Sequence, residues 1–402
     1  MNLMAKRREE HRAKGKERGS EEPRSRGAAL TSPRSLGSHA SIALFPILLL
    51  IIGALGTLSR AEEPAVAMGI RALGMGGASV AAVNDEELFF SNPAALSWID
   101  NPVFSSFDLK LGFNPESISF LSRMDEYKGS RDSFSDLTKT QIRNLNSLDP
   151  LYKSDGPLNI TYIRRYFGFG LFETFDLTFD PISLPHQSSI RVNAQQTTFG
   201  MLSFAGDMEL PPWPSRISIG GTLKYIVRPE VKGQDIDEMA DDGVTAEIGR
   251  GFGLDVGALY RIRETYTFGL MIRDALSSRV VWGSQLGKGS TKKEKSSEKT
   301  KIDPCAAVGI SFTPDWERPY VLQDFVLTLD MDRMRSPEIG AEVTVYRFLK
   351  VRTGASDDGI AFGLGLKLGI FTFDYAFASG FEDEYAGDID VPSHFMSLAF
   401  RL

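Results

Sequence analysis

From Val103 onward the chain alternates apolar and polar residues with a period of two. Ile217, Ile219, Leu223, Tyr225 and Val227 fall on one face, and Arg216, Ser218, Thr222, Lys224 and Arg228 on the other. Leu254, Val256, Tyr260 and Ile262 oppose Asp255, Gly257 and Arg261 in the same way. Further on, Ile360, Phe362, Leu364, Leu366 and Leu368 oppose Ala361, Gly363, Gly365, Lys367 and Gly369; Phe371, Phe373, Tyr375 and Phe377 oppose Thr372, Asp374, Ala376 and Ala378. Such a pattern predicts strands with one face in an apolar medium and the other in a polar one. A soluble sandwich alternates too. Strands of about ten residues, with Lys, Arg and Asp mixed among Gly on the polar face, favour tilted membrane crossings around a wet or filled lumen.

The predicted strands run at 103–113, 157–166, 168–179, 190–206, 215–228, 251–262, 266–284, 305–314, 322–332, 337–346, 348–356, 359–368, 370–379 and 393–402. The fold class is therefore all-β, a transmembrane antiparallel barrel of about 14 strands, an even number as single-chain bacterial barrels have. Stretches 103–123 and 266–284 could each hold two strands, which would make sixteen. Connections 124–156, 229–250, 285–304 and 380–392 are long, whereas Phe167-Gly168, 263–265, Arg347 and Gly369 are tight. That is the asymmetry between outer loops and periplasmic turns. The terminal run Phe395–Leu402 alternates to its end, with Met396, Leu398, Phe400 and Leu402 on the predicted lipid face. It resembles the closing strand that barrel assembly machinery reads, although it ends in Leu where Phe is commoner. An ordinary buried edge strand is the alternative.

The first 61 residues stand apart. Lys6, Arg7, Arg8, Arg12, Lys14, Lys16 and Arg18 precede an uncharged apolar run from Ser41 to Leu58, followed by Ser59-Arg60-Ala61. Basic region, apolar core and small-x-small site predict a secretory signal peptide cleaved after Ala61. A membrane anchor is the alternative, but Pro46 and two glycines interrupt a run near the lower length limit for a span. The basic region is long for a signal, as a start codon assigned too far upstream would make it.

Composition narrows the function classes. The chain has 402 residues and a formal net charge of -7. Up to Ala61 it carries 11 Lys/Arg and 5 Asp/Glu, so the remainder has 34 basic and 47 acidic residues, a net of -13. An acidic body argues against nucleic acid as a partner. Cys305 alone supports neither a disulfide framework nor a multi-cysteine metal site.

Residues 69–97 read GIRALGMGGASVAAVNDEELFFSNPAALS. The pieces Arg71-Ala72-Leu73-Gly74-Met75-Gly76-Gly77-Ala78, Asp85 and Asn92-Pro93-Ala94, at this spacing, resemble the start of the FadL-type long-chain fatty-acid transporters and the related PorV/PorQ-like outer-membrane proteins. Asp374-Tyr375-Ala376, after Gly363-Leu364-Gly365-Leu366, is similar to the late hairpin of the PorV-like members. The middle of the chain matches only in pattern. The resemblance implies an N-terminal plug inside the lumen, over 62–102, ahead of a barrel over 103–402. Its motif residues are Arg71, Gly74, Gly76, Gly77, Asn92, Pro93 and Ala94; Leu88, Phe89 and Phe90 would grip the wall or line a substrate pocket. Glycines let a backbone turn and approach a wall closely. Pro93 favours an extended Asn92 and ends any helix begun at Asp85. A phosphate-binding reading of the glycines lacks the Gly-x-x-x-x-Gly-Lys spacing and a preceding strand.

The remaining candidates are weak chemistry. After the signal only His186 and His394 remain, and Ser393 beside His394 should point to the opposite face. An enzyme is not expected, nor is a cofactor or metal. The acidic stretch Glu382, Asp383, Glu384, Asp388, Asp390 lacks the spacing of a calcium loop. Lys288–Lys299 reads as a solvated outer loop, with a lipopolysaccharide or phosphate contact as its alternative. Leu137, Ile142 and Leu145 predict one face of a short helix near 134–147, either covering the rim or sheltering a substrate entry.

Three functions remain open for an outer-membrane barrel of a diderm bacterium with lipid and lipopolysaccharide around it. One is passive uptake of a hydrophobic ligand such as a long-chain fatty acid. Another is a PorV-like barrel that binds partners in protein secretion, and the third is a structural surface barrel. An apolar pocket near Gly74–Asn92 favours uptake, and a lumen packed solid favours the other two.

Overall fold

The computed structural model describes residues 69–402, apart from 84, 130–136, 149, 184–187, 212–213, 238–245, 287–298, 315–320, 333–335, 358, 380, 384–386 and 390. The predicted signal peptide, His186, most of the 288–299 loop, Glu384 and Asp390 lie outside the described residues.

Strand follows strand in antiparallel order. β1 (Val103–Phe113), β2 (Tyr152–Asp155), β3 (Ile160–Arg164), β4 (Phe167–Ser183), β5 (Ser188–Glu209), β6 (Ser215–Asp235) and β7 (Ala246–Ile262) form the first half. β8 (Tyr266–Arg273), β9 (Arg279–Leu286), β10 (Lys299–Lys301), β11 (Cys305–Phe312), β12 (Leu322–Asp332) and β13 (Ser336–Val345) follow. β14 (Leu349–Ala355), β15 (Ile360–Leu368), β16 (Phe371–Ser379) and β19 (Ser393–Arg401) complete the wall, with β17 (Phe381–Asp383) and β18 (Gly387–Ile389) pairing separately as a small hairpin. β1 pairs with β19, Leu111 opposite Met396 and Lys110 opposite Ser397, so the sheet closes.

Counting wall positions gives fourteen. β2 and β3 both pair with β1 and with β4, so they are one interrupted position. β8 and β9 both pair with β7, and β11 and β10 pair with them in turn. At the first interruption the Asn159 side chain stands in for the missing ladder. Its Oδ1 accepts from Glu173 N at 2.8 Å and its Nδ2 donates to Asp108 O at 3.2 Å. At the second, Lys224 Nζ bridges Asp255 and Asp274 at 2.8 and 3.0 Å. The 266–284 stretch is thus two strands but one wall position, which is why sixteen is not reached.

The stretch after β1 departs from expectation. Residues 103–123 are not two strands: helix Pro115–Lys128 follows β1, and it is preceded by Asn114, whose side chain accepts from Ser117 N at 2.9 Å in a capping box. A second helix, Lys139–Asn146, buries Ile142 and Leu145 beside Leu137. Both pack against Ile190 and Phe179 at the end of the barrel where the long connections lie. The division into long and tight connections holds only in part, since Ala355 to Ile360 is also a short passage at that end.

The two faces of the wall differ as the alternation requires. On β15, Phe362 is 52 % exposed and its inward neighbour Ala361 is fully buried. Ile219, Leu223, Phe252, Leu368 and Phe371 are exposed on the same outer surface. An apolar girdle of this extent on a closed wall matches a hydrocarbon layer and not water. Among the described residues no helix is long and apolar enough to cross a membrane.

Candidate functional site

The stretch before β1 is buried almost throughout, from Gly69 to Ile99. It opens with a single helical turn, α1 (Ile70–Gly74). Gly77 N donates to Ala72 O at 2.9 Å and Gly76 N to Leu73 O at 3.1 Å, and Gly76 has φ +70°. That is a Schellman ending, and its left-handed position suits glycine. The chain then passes through two 3₁₀ turns, Glu86–Phe89 and Pro93–Trp98. Asp85 caps the first, its side chain accepting from Glu87 N at 3.1 Å. Asn92, in extended conformation, caps the second, with Oδ1 accepting from Ala94 N at 3.2 Å and Pro93 at the first helical position. Pro93 therefore starts a turn as well as ending one.

This segment lies against inward-facing backbone on successive strands. A Cβ on Gly363 of β15 would stand 3.0 Å from Gly74 Cα, and one on Gly354 of β14 would stand 2.1 Å from Met75 C. Gly340 of β13 meets Met75 O, Gly269 of β8 meets Val80 O, Gly257 of β7 meets Asn92 Oδ1, and Gly220 of β6 meets Pro93. At these positions the wall has no side chain, so its backbone comes within van der Waals contact of the segment.

Between those contacts, polar anchors satisfy the enclosed backbone groups, as burial demands. Ser79 N and Val80 N both donate to Asp330 Oδ2 at 2.6 Å. Ser311 Oγ donates to Ala81 O at 3.0 Å and Arg273 Nε to Phe90 O at 2.9 Å. Asn92 Nδ2 donates to Val80 O at 3.0 Å and approaches Ala258 O and Leu270 O of the wall at 3.4 Å each. Trp98 Nε1 donates to Ser218 Oγ at 3.0 Å, and the Arg261 guanidinium stacks 3.6 Å over the Trp98 ring. Of the inward-facing Lys224, Arg261, Lys367 and Asp374, Arg261 meets the segment through Trp98. Lys224 is engaged with Asp255 and Asp274, Asp374 with Arg352, and Lys367 lines a cavity.

Arg71 enters a buried ion network. Its Nε lies 3.1 Å from Glu342 Oε2, which Arg352 Nε also contacts at 2.7 Å; Lys350 Nζ is 3.6 Å from Glu342 Oε1, and Arg352 Nη1 is 2.6 Å from Asp374 Oδ1. On the same side Arg401 pairs with Glu86, and Arg71 N donates to Glu87 Oε1 at 3.0 Å. Burial opposes the Arg71 charge, but the carboxylates of Glu342, Asp85 and Glu87 outweigh it and raise its pKa. Burial, helped by Asp85, pushes the Glu87 carboxyl up to about 8, against the pull of Lys110 and Arg71.

Opposite the ion network the contact is aromatic. Leu88 and Phe89 are fully buried and Phe90 nearly so. Phe172 of β4 sits edge-on to Phe89 and Phe90 at 5.3 and 4.8 Å, and Phe199 of β5 to Phe90 at 5.7 Å. Met201, Ile226 and Ile163 join the same cluster. Leu88, Phe89 and Phe90 therefore pack into a core in this conformation and do not line an open pocket. An open cavity of about 680 Å³ lies beside the start of the segment, at the end of the barrel with the tight turns, and Arg71, Glu87, Lys350, Arg352 and Lys367 line it. The lumen beside the segment is open on its charged side and shut on its apolar side.

Other candidates fall away from the segment. His394 faces outward, 2.8 Å from Tyr375 Oη, while the neighbouring Ser393 is buried with its Oγ on Val391 O, so the two form no catalytic pair. Glu382 stands opposite Asp388 in the β17–β18 hairpin, and no cluster of three or more metal-ligating residues occurs among the described residues.

No protein-family model matches the chain, and no curated protein matches its sequence. Several solved structures are similar in fold. The toluene transporter TodX of Pseudomonas putida has 10 % identity and a TM-score of 0.44, covering 85 % of this chain and 98 % of that one. A Pseudomonas aeruginosa FadL homologue has 11 % identity and a TM-score of 0.42, covering 85 % and 99 %. The Ralstonia pickettii toluene transporter TbuX has 10 % identity and a TM-score of 0.40, covering 83 % and 97 %. Likenesses this distant decide neither substrate nor mechanism.

Proposed function

We propose that this barrel carries hydrophobic small molecules passively across the outer membrane of a diderm bacterium, long-chain fatty acids being the finer expectation. One observation carries the reading: the inward face of β4, β5 and β6 holds an apolar patch where Phe89 and Phe90 seat. Near the long connections the two covering helices instead pack Phe120, Met124, Ile142 and Leu145 on Ile190 and Phe179, which the unbroken β4–β5 register puts on the other face. Deeper in, Phe172, Phe199, Met201 and Ile226 pack against Phe89 and Phe90. Beyond this patch the inward face turns polar, with Thr174, Thr197 and, on β6, Arg228 buried. A lumen built for hydrated solutes is polar, whereas an apolar solute gains from each apolar surface it covers. Phe89 and Phe90 close the inner end, so passage needs residues 85–91 to shift. The rest of the setting belongs to the same proposal: export by a signal cleaved after Ala61, 62–102 acting as the plug, and recognition of the last strand by assembly machinery.

Proteoliposome uptake tests it. An apolar fluorescent probe should enter vesicles holding the mature barrel faster than protein-free vesicles, and Phe199→Glu should slow entry about tenfold, as one buried uncompensated charge is costly. Heat-modified gel migration reports whether the variant is still folded. Entry no faster than in protein-free vesicles overturns the reading. A second reading, a barrel that holds a protein partner, is favoured by the closed packing of Leu88, Phe89 and Phe90 and by Ile118 and Leu121, exposed on the first covering helix.

A further inference from the structure

The first covering helix, Pro115–Lys128, leaves two large apolar side chains in the open: Ile118 is 64 % exposed and Leu121 50 %. Phe120 and Met124 of the same helix turn to the wall instead, Phe120 against Phe179 with ring centroids 5.2 Å apart. The level of the helix along the barrel follows from β1. Its eleven residues, tilted by about 40°, rise about 28 Å, close to the apolar band of about 25 Å on an outer-membrane barrel. Phe113 ends β1 and stacks on the outward His394 at 5.8 Å, so it marks the outer edge of that band. The helix begins two residues later and is tied to this level. Ser117 Oγ donates to Leu151 O and Tyr152 Oη to Ser117 O, both at 2.6 Å, and Tyr152 is the sheet partner of Phe113.

The two flanks of the helix differ in what they face. Arg123 Nη1 donates to Asn144 O of the second covering helix at 2.8 Å. That second helix lies farther out: Ile142 packs with Ile190 near the outer end of β5, and Ser188, the first residue of β5, donates to Leu137 O just ahead of it. At about 100° per residue, Leu121 and Ile118 stand about 160° and about 140° around the helix from Arg123. They therefore occupy the flank turned back toward Phe113 and the exposed Leu111 on the lipid face of β1. We propose that Ile118 and Leu121 insert into the outer leaflet at the boundary between headgroups and acyl chains, making this helix an interfacial anchor at the barrel rim. Exposed apolar side chains that continue a lipid-facing girdle fit lipid, and a water-soluble partner approaching this flank meets the bilayer first. Asp125, exposed on the same flank one turn beyond Leu121, keeps the insertion at headgroup depth. The anchor does not depend on the uptake reading, since it needs only a barrel seated in a bilayer.

The test places an environment-sensitive fluorophore on single cysteines, Ile118→Cys, Leu121→Cys and Ser119→Cys, each in a Cys305→Ser background. Ser119, exposed one turn before Arg123, is the control on the outer flank. The labelled mature barrel is reconstituted into phosphatidylcholine liposomes, and heat-modified gel migration reports that each variant is folded. The labels at 118 and 121 should shift to the blue, lose quenching by aqueous iodide and be quenched by a lipid carrying a nitroxide just below its headgroup. The label at 119 should stay open to iodide and escape the nitroxide. Iodide quenching at 118 and 121 equal to that at 119 would overturn the proposal and leave the flank free for a soluble protein partner. Shielding from iodide without quenching by the nitroxide lipid would overturn it too, because a second copy of the chain would then be the cover.

Discussion

The two sides of the lumen hold the same segment by different physics. Toward β12–β15 the contact is backbone on glycine, backbone on Asp330, and Arg71 in a buried ion network. Toward β4 and β5 it is Phe89 and Phe90 against Phe172 and Phe199. Directional bonds and close backbone approach fix a position, because little else satisfies the same groups. Apolar packing is non-directional, so an apolar solute can take the place of a side chain. The difference teaches which side holds and which side can open.

The largest effect should come from removing the segment itself. Deleting residues 69–97 is expected to leave an assembled barrel, because the wall strands pair with one another through to the β1–β19 closure. Planar-bilayer conductance should rise from near closed to a stable open pore. A deletion that fails to assemble would show that the segment is part of the wall's own stability.

On the holding side, Glu342→Gln removes the carboxylate that Arg71, Lys350 and Arg352 share. Breaking a buried ion set leaves uncompensated charge and should cost about 3–5 kcal/mol, read as a lowered unfolding midpoint in urea. Gly354→Ala places a methyl 2.1 Å from Met75 C, and overpacking of this kind costs about 1–3 kcal/mol. On the opening side, Phe90→Leu should cost less, about 1 kcal/mol, since it exchanges one apolar group for a smaller one. It should speed entry of the apolar probe, whereas Gly354→Ala should not. Equal acceleration by both would erase the distinction between the sides.

How much of this was legible depended on how local each cause is. The strands were, since period two is written in each of them, and so was the helix that buries Ile142 and Leu145, although Leu137 lies ahead of its cap and not on its face. Helix Pro115–Lys128 was missed although Asn114-Pro115 and Ser117 spell a cap, because β1 runs straight into it and the stretch was read for period two. The ion network could not be read, because Glu342 is 271 residues from Arg71. Leu88, Phe89 and Phe90 suggested a pocket because their apolar character was visible, while the aromatics that fill the space come from β4 and β5. Wall glycines such as Gly257 and Gly363 were visible as inward positions, but not what leaned on them.

The smallest expected effect is a dependence on pH. Glu87 titrates near 8 in the folded protein against an ordinary 4.5. Between those values the released segment would carry an ionised Glu87 and the seated one a protonated Glu87. Seating is therefore fully favoured below 4.5 and weakens as pH rises through about 8. Protease accessibility of residues 78–91 should increase over that window, and Glu87→Gln should flatten the rise.

The central claim is that passage of an apolar solute needs the segment to move, and one tether tests it directly. The Phe90 and Phe172 rings lie 4.8 Å apart on the side that opens, so Phe90→Cys with Phe172→Cys, in a Cys305→Ser background, places two thiols where the shift must occur. Uptake of the apolar probe into proteoliposomes is then measured with the disulfide formed and again after reduction. The account predicts uptake near the protein-free rate when the tether is closed and recovery when it is reduced. Uptake that proceeds equally well with the disulfide intact would contradict it.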